Sequence, residues 1–221
     1  MKEDSAEYLK LCLTSSYAIN SDDVSIIETS QKLTQGCAND IEKAIALFKF
    51  VRDSITYGVF MISVFEEDYI ASRVLEWKKG FCVQKSVLLA ALGRAAGIST
   101  RLGFADIRNN RVPPHILEKV GTNVFLAHCY TQFFLNGKWV SATSNFGADM
   151  CKRNGLPVVE FDGINDAMLA EKDLEGRLYI EYLERFGFQE NLDFKWLYEK
   201  IAPHLPADKR PEFKVDNAVK W

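Results

Sequence analysis

One stretch limits the possible folds more than any other: FCVQKSVLLAALGRAAGI, residues 81–98. From Cys82 to Ala96 the residues suit a helix. Val87, Leu88, Ala91, Leu92 and Ala95 form one stripe, and small or apolar residues fill most other positions. Such a helix is buried on most sides, so other layers must surround it. Gly97 stands where a left-handed residue ends a helix. Beyond it the period falls toward 2, with Ile98, Thr100, Leu102 and Phe104 alternating with Ser99, Arg101 and Gly103, which predicts a strand. Further on, Asn136-Gly137 is a strong hairpin signal, because both central residues of a type I′ turn need positive φ. Residues 126–135 and 138–145 are therefore expected to be antiparallel neighbours.

Upstream, residues 23–34 and 71–78 look helical, the second ended by Gly80. Asn39 or Asp40 can cap a helix through IEKAIALFKFVRDSI. Residues 105–123, with Pro113 and Pro114, read as a long connection. Residues 156–161 and 178–183 are further strand candidates, and the C-terminal part looks helical. This order predicts an α+β fold with the buried helix packed on an antiparallel sheet. With no repeat, low-complexity tract or flexible linker, residues 1–221 are expected to form one domain.

A net charge of −3 gives no basic footprint for nucleic acid or anionic lipid. No apolar run approaches the roughly 18 residues of a membrane span. The opening MKEDSAEYLKLCLTSSYAIN lacks the basic start, long apolar stretch and cleavage site of a signal peptide, so a cytoplasmic protein is expected. The cysteines are Cys12, Cys37, Cys82, Cys129 and Cys151, an odd count with no C-x-x-C pair. That argues against a disulfide framework and a structural zinc site. Each cysteine is by default a small core residue. Glu66, Glu67 and Asp68 read as a solvated run, and Lys85 and Arg94 as solvent or salt-bridge residues.

Cys82 departs from that default because it opens the buried helix. Unpaired N–H groups and the positive end of the helix dipole meet there, and both favour thiolate over thiol. The same N–H groups can donate to an oxyanion. Of three histidines, His115 and His204 fall in Pro-containing segments and read as surface residues, whereas His128 lies in an apolar strand. A helix packed on a sheet makes a Cys82–His128 pair geometrically available.

These segments carry a family resemblance. ASRVLEWKKGFCVQKSVLLAALGRAAGISTRLGFADI resembles the cysteine motif of the transglutaminase-like superfamily, and HCYTQFFLNGKWVSATSNF resembles its histidine motif. ALFKFVRDSITY looks like the helix that precedes the cysteine motif, so the three motifs cover about residues 40–150. LPVVEFDG and YIEYLERFG resemble an extension found in a bacterial and archaeal branch. The resemblance implies a papain-like core with extra N- and C-terminal segments. It also implies acyl transfer through a thioester on Cys82, with His128 as base and no metal or cofactor. The partner would be a peptide, protein or other amide-containing substrate. Oligomeric state is left open.

The family's third residue is usually Asp, four residues after the hairpin Trp. Here that position is Thr143. A two-residue loop at Asn136-Gly137 sets His128 opposite Asn145, and papain-like enzymes use an Asn in this role. Asn145, Thr143 and Asp149 therefore remain alternatives. Trp77, Gln84 and Tyr130 are candidates for the oxyanion or substrate pocket, while Cys129 and Cys151 read as structural. The resemblance admits a peptide or amide hydrolase, an amine-accepting transglutaminase, or a non-catalytic binding scaffold of the same fold.

Overall fold

A computed structural model describes residues 4–213. Three helices lead the chain: α1 (Ala6–Leu11), α2 (Val24–Thr34) and α3 (Asp40–Ser54). The side chain of Asp23 caps α2. Asn39 Oδ1 accepts from Glu42 N at 3.0 Å to start α3, and Glu42 Oε2 accepts from Ala38 N at 2.8 Å. Next come β1 (Thr56–Tyr57), α4 (Ala71–Trp77), β2 (Lys79–Gly80) and the buried helix α5 (Cys82–Ala95). β3 (Thr100–Asn109), α6 (Pro114–Val120), β4 (Val124–Leu135) and β5 (Lys138–Ala142) follow. The chain then forms α7 (Ala148–Arg153), β6 (Ile180–Gln189) and α8 (Phe194–Ile201).

The architecture is the expected α+β arrangement. The main sheet is antiparallel with strand order β5-β4-β3-β6. The β4–β5 register, Leu135 with Lys138 through Thr131 with Ala142, is the one a two-residue Asn136-Gly137 turn sets. Both turn residues have positive φ, 49° and 80°. Every residue of α5 from Cys82 to Arg94 is buried. α2 reaches it through Ser30 Oγ, which donates to Leu92 O at 2.9 Å. The sheet meets it through Ser86 Oγ donating to Cys129 O at 3.0 Å and Thr131 Oγ1 donating to Ser86 O at 2.9 Å. At Gly93 the approach is closer still. A Cβ there would lie 2.7 Å from both Phe133 Cε1 and Thr100 Cγ2.

Several local expectations are corrected. β3 continues to Asn109, and Pro114 opens α6, where a proline's missing N–H costs nothing, so the connection is shorter than residues 105–123. α4 ends on Lys78 in the left-handed conformation (φ 51°). Gly80 instead belongs to β2, which pairs in parallel with β1. Residues 156–161 join no strand. Phe161 packs against Phe133 and Phe48, and Val159 O accepts from Arg52 Nη1 at 2.8 Å. Apolar alternation there reflects burial rather than pairing. Asp68 is buried, accepting from Ser63 Oγ at 2.6 Å and from Arg210 Nη1 at 2.9 Å. Arg94 is buried too, bonded to Thr100 Oγ1, Thr14 O and Asn191 Oδ1. Among the described residues no helix is long and apolar enough to cross a membrane.

The tight approach at Gly93 makes a direct test possible. Gly93→Ala is expected to lose about 1–3 kcal/mol, seen as a lower urea midpoint at unchanged slope, because neither neighbour is the free end of a flexible chain.

Candidate active site

Cys82 is the first residue of α5, and polar contacts fix the turn it opens. Gln84 Oε1 accepts from Phe81 N at 3.0 Å, and its Nε2 donates to Asp68 O at 2.8 Å. Both ends of Gln84 thus hold the helix start. Lys85, expected at the surface, is fully buried. Its ammonium group donates to Arg52 O and Ile55 O at 3.3 and 2.5 Å, satisfying carbonyls at the end of α3. Burial pulls its pKa down to about 7.

The Cys82 side chain is only 5% exposed. Burial pushes the thiol up to about 11, against the opposing pull of the peptide N–H groups of Cys129, Val83 and Cys82 itself. The helix end does favour the thiolate, but desolvation outweighs it. In this closed arrangement Cys82 is a neutral thiol lying against the Cys129 amide.

That amide follows His128 directly. A β-bulge places the histidine: Ala105 pairs with His128, but Ile107 pairs with Phe125, so β4 carries one extra residue. Ala127 within the bulge has φ 50°, a conformation costing an alanine about 1–2 kcal/mol. Its N–H donates to Asp106 Oδ1 at 2.8 Å, which holds the strained residue in place. His128 is 2% exposed, and burial lowers its pKa to about 3. The imidazole is neutral.

Asn145, beyond the end of β5, is 1% exposed, and its Nδ2 lies 3.3 Å from His128 Nδ1. Asn145 Oδ1 and His128 Nε2 have no hydrogen-bond partner. Turning the amide by 180° places Oδ1 on Nδ1–H. This satisfies the orphaned oxygen and leaves a basic lone pair on Nε2. The segment that follows Asn145 is anchored at two points. Phe146 packs edge-on to Tyr57 at 4.8 Å, and Ala148 N donates to Asp53 Oδ1 at 2.9 Å.

Thr143 is buried, but its hydroxyl donates to Met168 Sδ at 3.6 Å and its peptide N–H to Ala167 O. Asp149 is exposed in the first turn of α7. Of the three alternatives, Asn145 is the one the structure brings to the His128 ring. No hydrogen bond joins Cys82 to His128 Nε2, which is unpartnered. The thiol reaches the neighbouring amide instead.

Trp77 is half-buried at the end of α4, packing against Phe213 at 5.2 Å and facing Arg73 at 5.9 Å. Tyr130 is buried with its ring flat on Gly103, where a Cβ would lie 2.5 Å from the ring carbons. Cys129 faces Ser86 of α5, and Cys151 is buried. Sequence reasoning overlooked Tyr182 of β6, whose ring meets His128 edge-on with centroids 6.2 Å apart at 71°. The alternation through residues 178–183 signals a strand, but not which neighbour a tyrosine on it will touch.

The sequence pattern of the transglutaminase-like superfamily matches residues 27–144, more than half of the chain. The protein belongs to that superfamily. Comparison with curated proteins gives no match. Among solved structures, the chain is similar to a candidate cysteine protease from Cytophaga hutchinsonii, at 16% identity and a TM-score of 0.53. That match covers 85% of this chain and 48% of the other, so the chain spans about half of the larger protein. A candidate protease from Parabacteroides distasonis matches 57% of this chain and 24% of its own, with 16% identity and a TM-score of 0.41.

The buried imidazole has a measurable consequence. In the unfolded chain a histidine takes up its proton near pH 6.5, and in this fold His128 does so near 3. Between these values the unfolded state binds the extra proton. The contribution is therefore complete above about pH 6.5 and is lost as pH falls toward 3. From pH 7 to pH 5 this loss is expected to be about 2 kcal/mol in urea unfolding, and His128→Gln should remove it.

Proposed function

We propose that the protein is a thiol-dependent acyl-transfer enzyme that hydrolyses a peptide or amide bond through a thioester on Cys82, with His128 as base. The observation that supports this reading best is the placement of Cys82. It lies at the start of a buried helix, against the amide that follows His128, and Asn145 meets Nδ1 of the imidazole.

In the proposed reaction His128 Nε2 takes the thiol proton while sulfur attacks the carbonyl carbon. The C–S bond forms, and the oxyanion lies within reach of peptide N–H groups at the start of α5. The C–N bond then breaks, and the imidazolium gives its proton to the leaving amine. Water attacks the thioester, His128 takes a proton from it, and the released thiolate recovers that proton. In the closed site the thiol holds its proton and the imidazole does not accept it, with pKa values of about 11 and about 3. Entry of solvent or substrate must precede proton transfer, because it relieves the burial that causes both shifts. Asn145 keeps Nδ1 protonated through the cycle, the part an asparagine plays in papain-like enzymes.

Two observations favour a second reading, a binding scaffold without catalysis. Thr143 stands where the family usually has an acid, and His128 Nε2 is not bonded to the thiol.

Intact-mass measurement after incubation with a small activated ester and a pool of peptide amides separates the two. The enzymatic reading expects an acyl adduct on Cys82 that water slowly clears. The adduct should be absent in Cys82→Ala and form about 100-fold or more slowly in His128→Ala. Adding a primary alkylamine distinguishes hydrolysis from transfer. Labelling confined to half-exposed Cys37, with Cys82 unmodified in every mixture, would leave only the scaffold.

A further inference from the structure

Tyr182 lies outside the residues that match the family, on a strand that does not pair with the one carrying His128. β3 runs between them, yet the two rings touch. Three features of the backbone allow this. Ala105 is directly opposite both His128 on β4 and Arg185 on β6, so the side chain that β3 places between theirs is only a methyl group. The β3–β6 register shifts twice, between Phe104 and Ala105 and between Asp106 and Ile107, which sets Tyr182 against Ile107. The β3–β4 ladder is bulged at the same place, just before His128. Three irregularities within four residues of one strand all bear on where these two rings meet.

Arg185 also lies over the tyrosine ring. Its guanidinium carbon is 4.5 Å from the ring centroid, and the residue is exposed. Tyr182 thus touches both a guanidinium group and the imidazole. Its hydroxyl is buried, and burial pushes that group up to about 12, so the side chain stays neutral.

We propose that Tyr182 is a positioning residue for the Cys82–His128 pair: its ring shields the imidazole from water and fixes the ring plane, making β6 part of the active site. This inference rests on the acyl-transfer reading for its catalytic consequence, but not for its physical content. An edge-to-face aromatic neighbour favours one ring orientation over the others. Asn145 bonds to the His128 ring and Tyr182 touches it; close by, Asp106 of β3 bonds the Ala127 amide, Arg185 of β6 lies over Tyr182, and Cys82 of α5 lies against the Cys129 amide. Burial alone accounts for the lowered pKa of His128. Exclusion of water is therefore the main influence that Tyr182 can exert on the imidazole.

The test is an NMR titration of the histidine rings in the full chain, with exposed His204 as the reference. Wild type should show no His128 midpoint above pH 5. Tyr182→Ala should raise the midpoint by one pH unit or more toward the ordinary value near 6.5. Tyr182→Phe keeps the ring edge and should match wild type. If Tyr182→Ala does not fold, Tyr182→Leu is read in the same way. In turnover, Tyr182→Ala should lower kcat about 100-fold at nearly constant KM and move the acid limb of the pH profile, with Tyr182→Phe restoring both. A His128 midpoint equal in wild type and the folded alanine or leucine variant would overturn the inference. The two proposals fail separately. A shifted midpoint without any thioester refutes the acyl-transfer reading alone, and a thioester with an unmoved midpoint refutes the shielding role alone.

Discussion

The structure depends on the way α5 lies on β4. Ser86 gives its hydroxyl proton to Cys129 O and receives that of Thr131 on its own carbonyl. This reciprocal pair sits inside an otherwise apolar contact. Apolar packing alone would tolerate a helix sliding along its groove, whereas two short hydrogen bonds in low dielectric fix translation and rotation together. Gly93 lets the far end of the helix approach Phe133 and Thr100. Cys82 is one turn before Ser86, and His128 is one residue before Cys129. The contact that seats the helix therefore also brings the candidate nucleophile to the strand of its candidate base.

The start of α5 is held by a different set of interactions. Gln84 bonds back to the Phe81 amide and across to Asp68, and Lys85 caps the end of α3. Asp53, next in sequence to Arg52, holds the segment after β5 through Ala148. One short region at the end of α3 thus supports both the turn that carries Cys82 and the loop that carries Asn145. The elements that present the site are far apart in sequence but are fastened to the same support.

Much of this was legible in the sequence, for reasons that can be named. The composition of α5, the caps at Asp23 and Asn39, and the Asn136-Gly137 turn are local signals, and the local backbone follows them. Hairpin register brings Asn145 opposite His128 but does not choose between it, Thr143 and Asp149. Long-range compensation could not be read. Lys85 looks like a surface lysine until the end of α3 supplies its acceptors, and Asp68 looks solvated until Ser63 and Arg210 reach it. The same holds for residues 156–161, whose alternation is spent on Phe48 and Phe133 and not on a strand partner. Tyr182 is the hardest case, because its contact depends on two register shifts and a bulge. Nor does a helix start by itself predict a thiolate. That inference counted the dipole and omitted the burial that the rest of the chain imposes.

The neutral, enclosed thiol also affects how the protein ages. Oxidants and electrophiles attack thiolates that water can reach, so vulnerability follows ionisation and access together. Cys82 is deficient in both while the site is closed. Half-exposed Cys37 is far easier to reach. Chemical damage should therefore accumulate at a cysteine that the proposed reaction does not need, leaving Cys82 intact in the resting molecule.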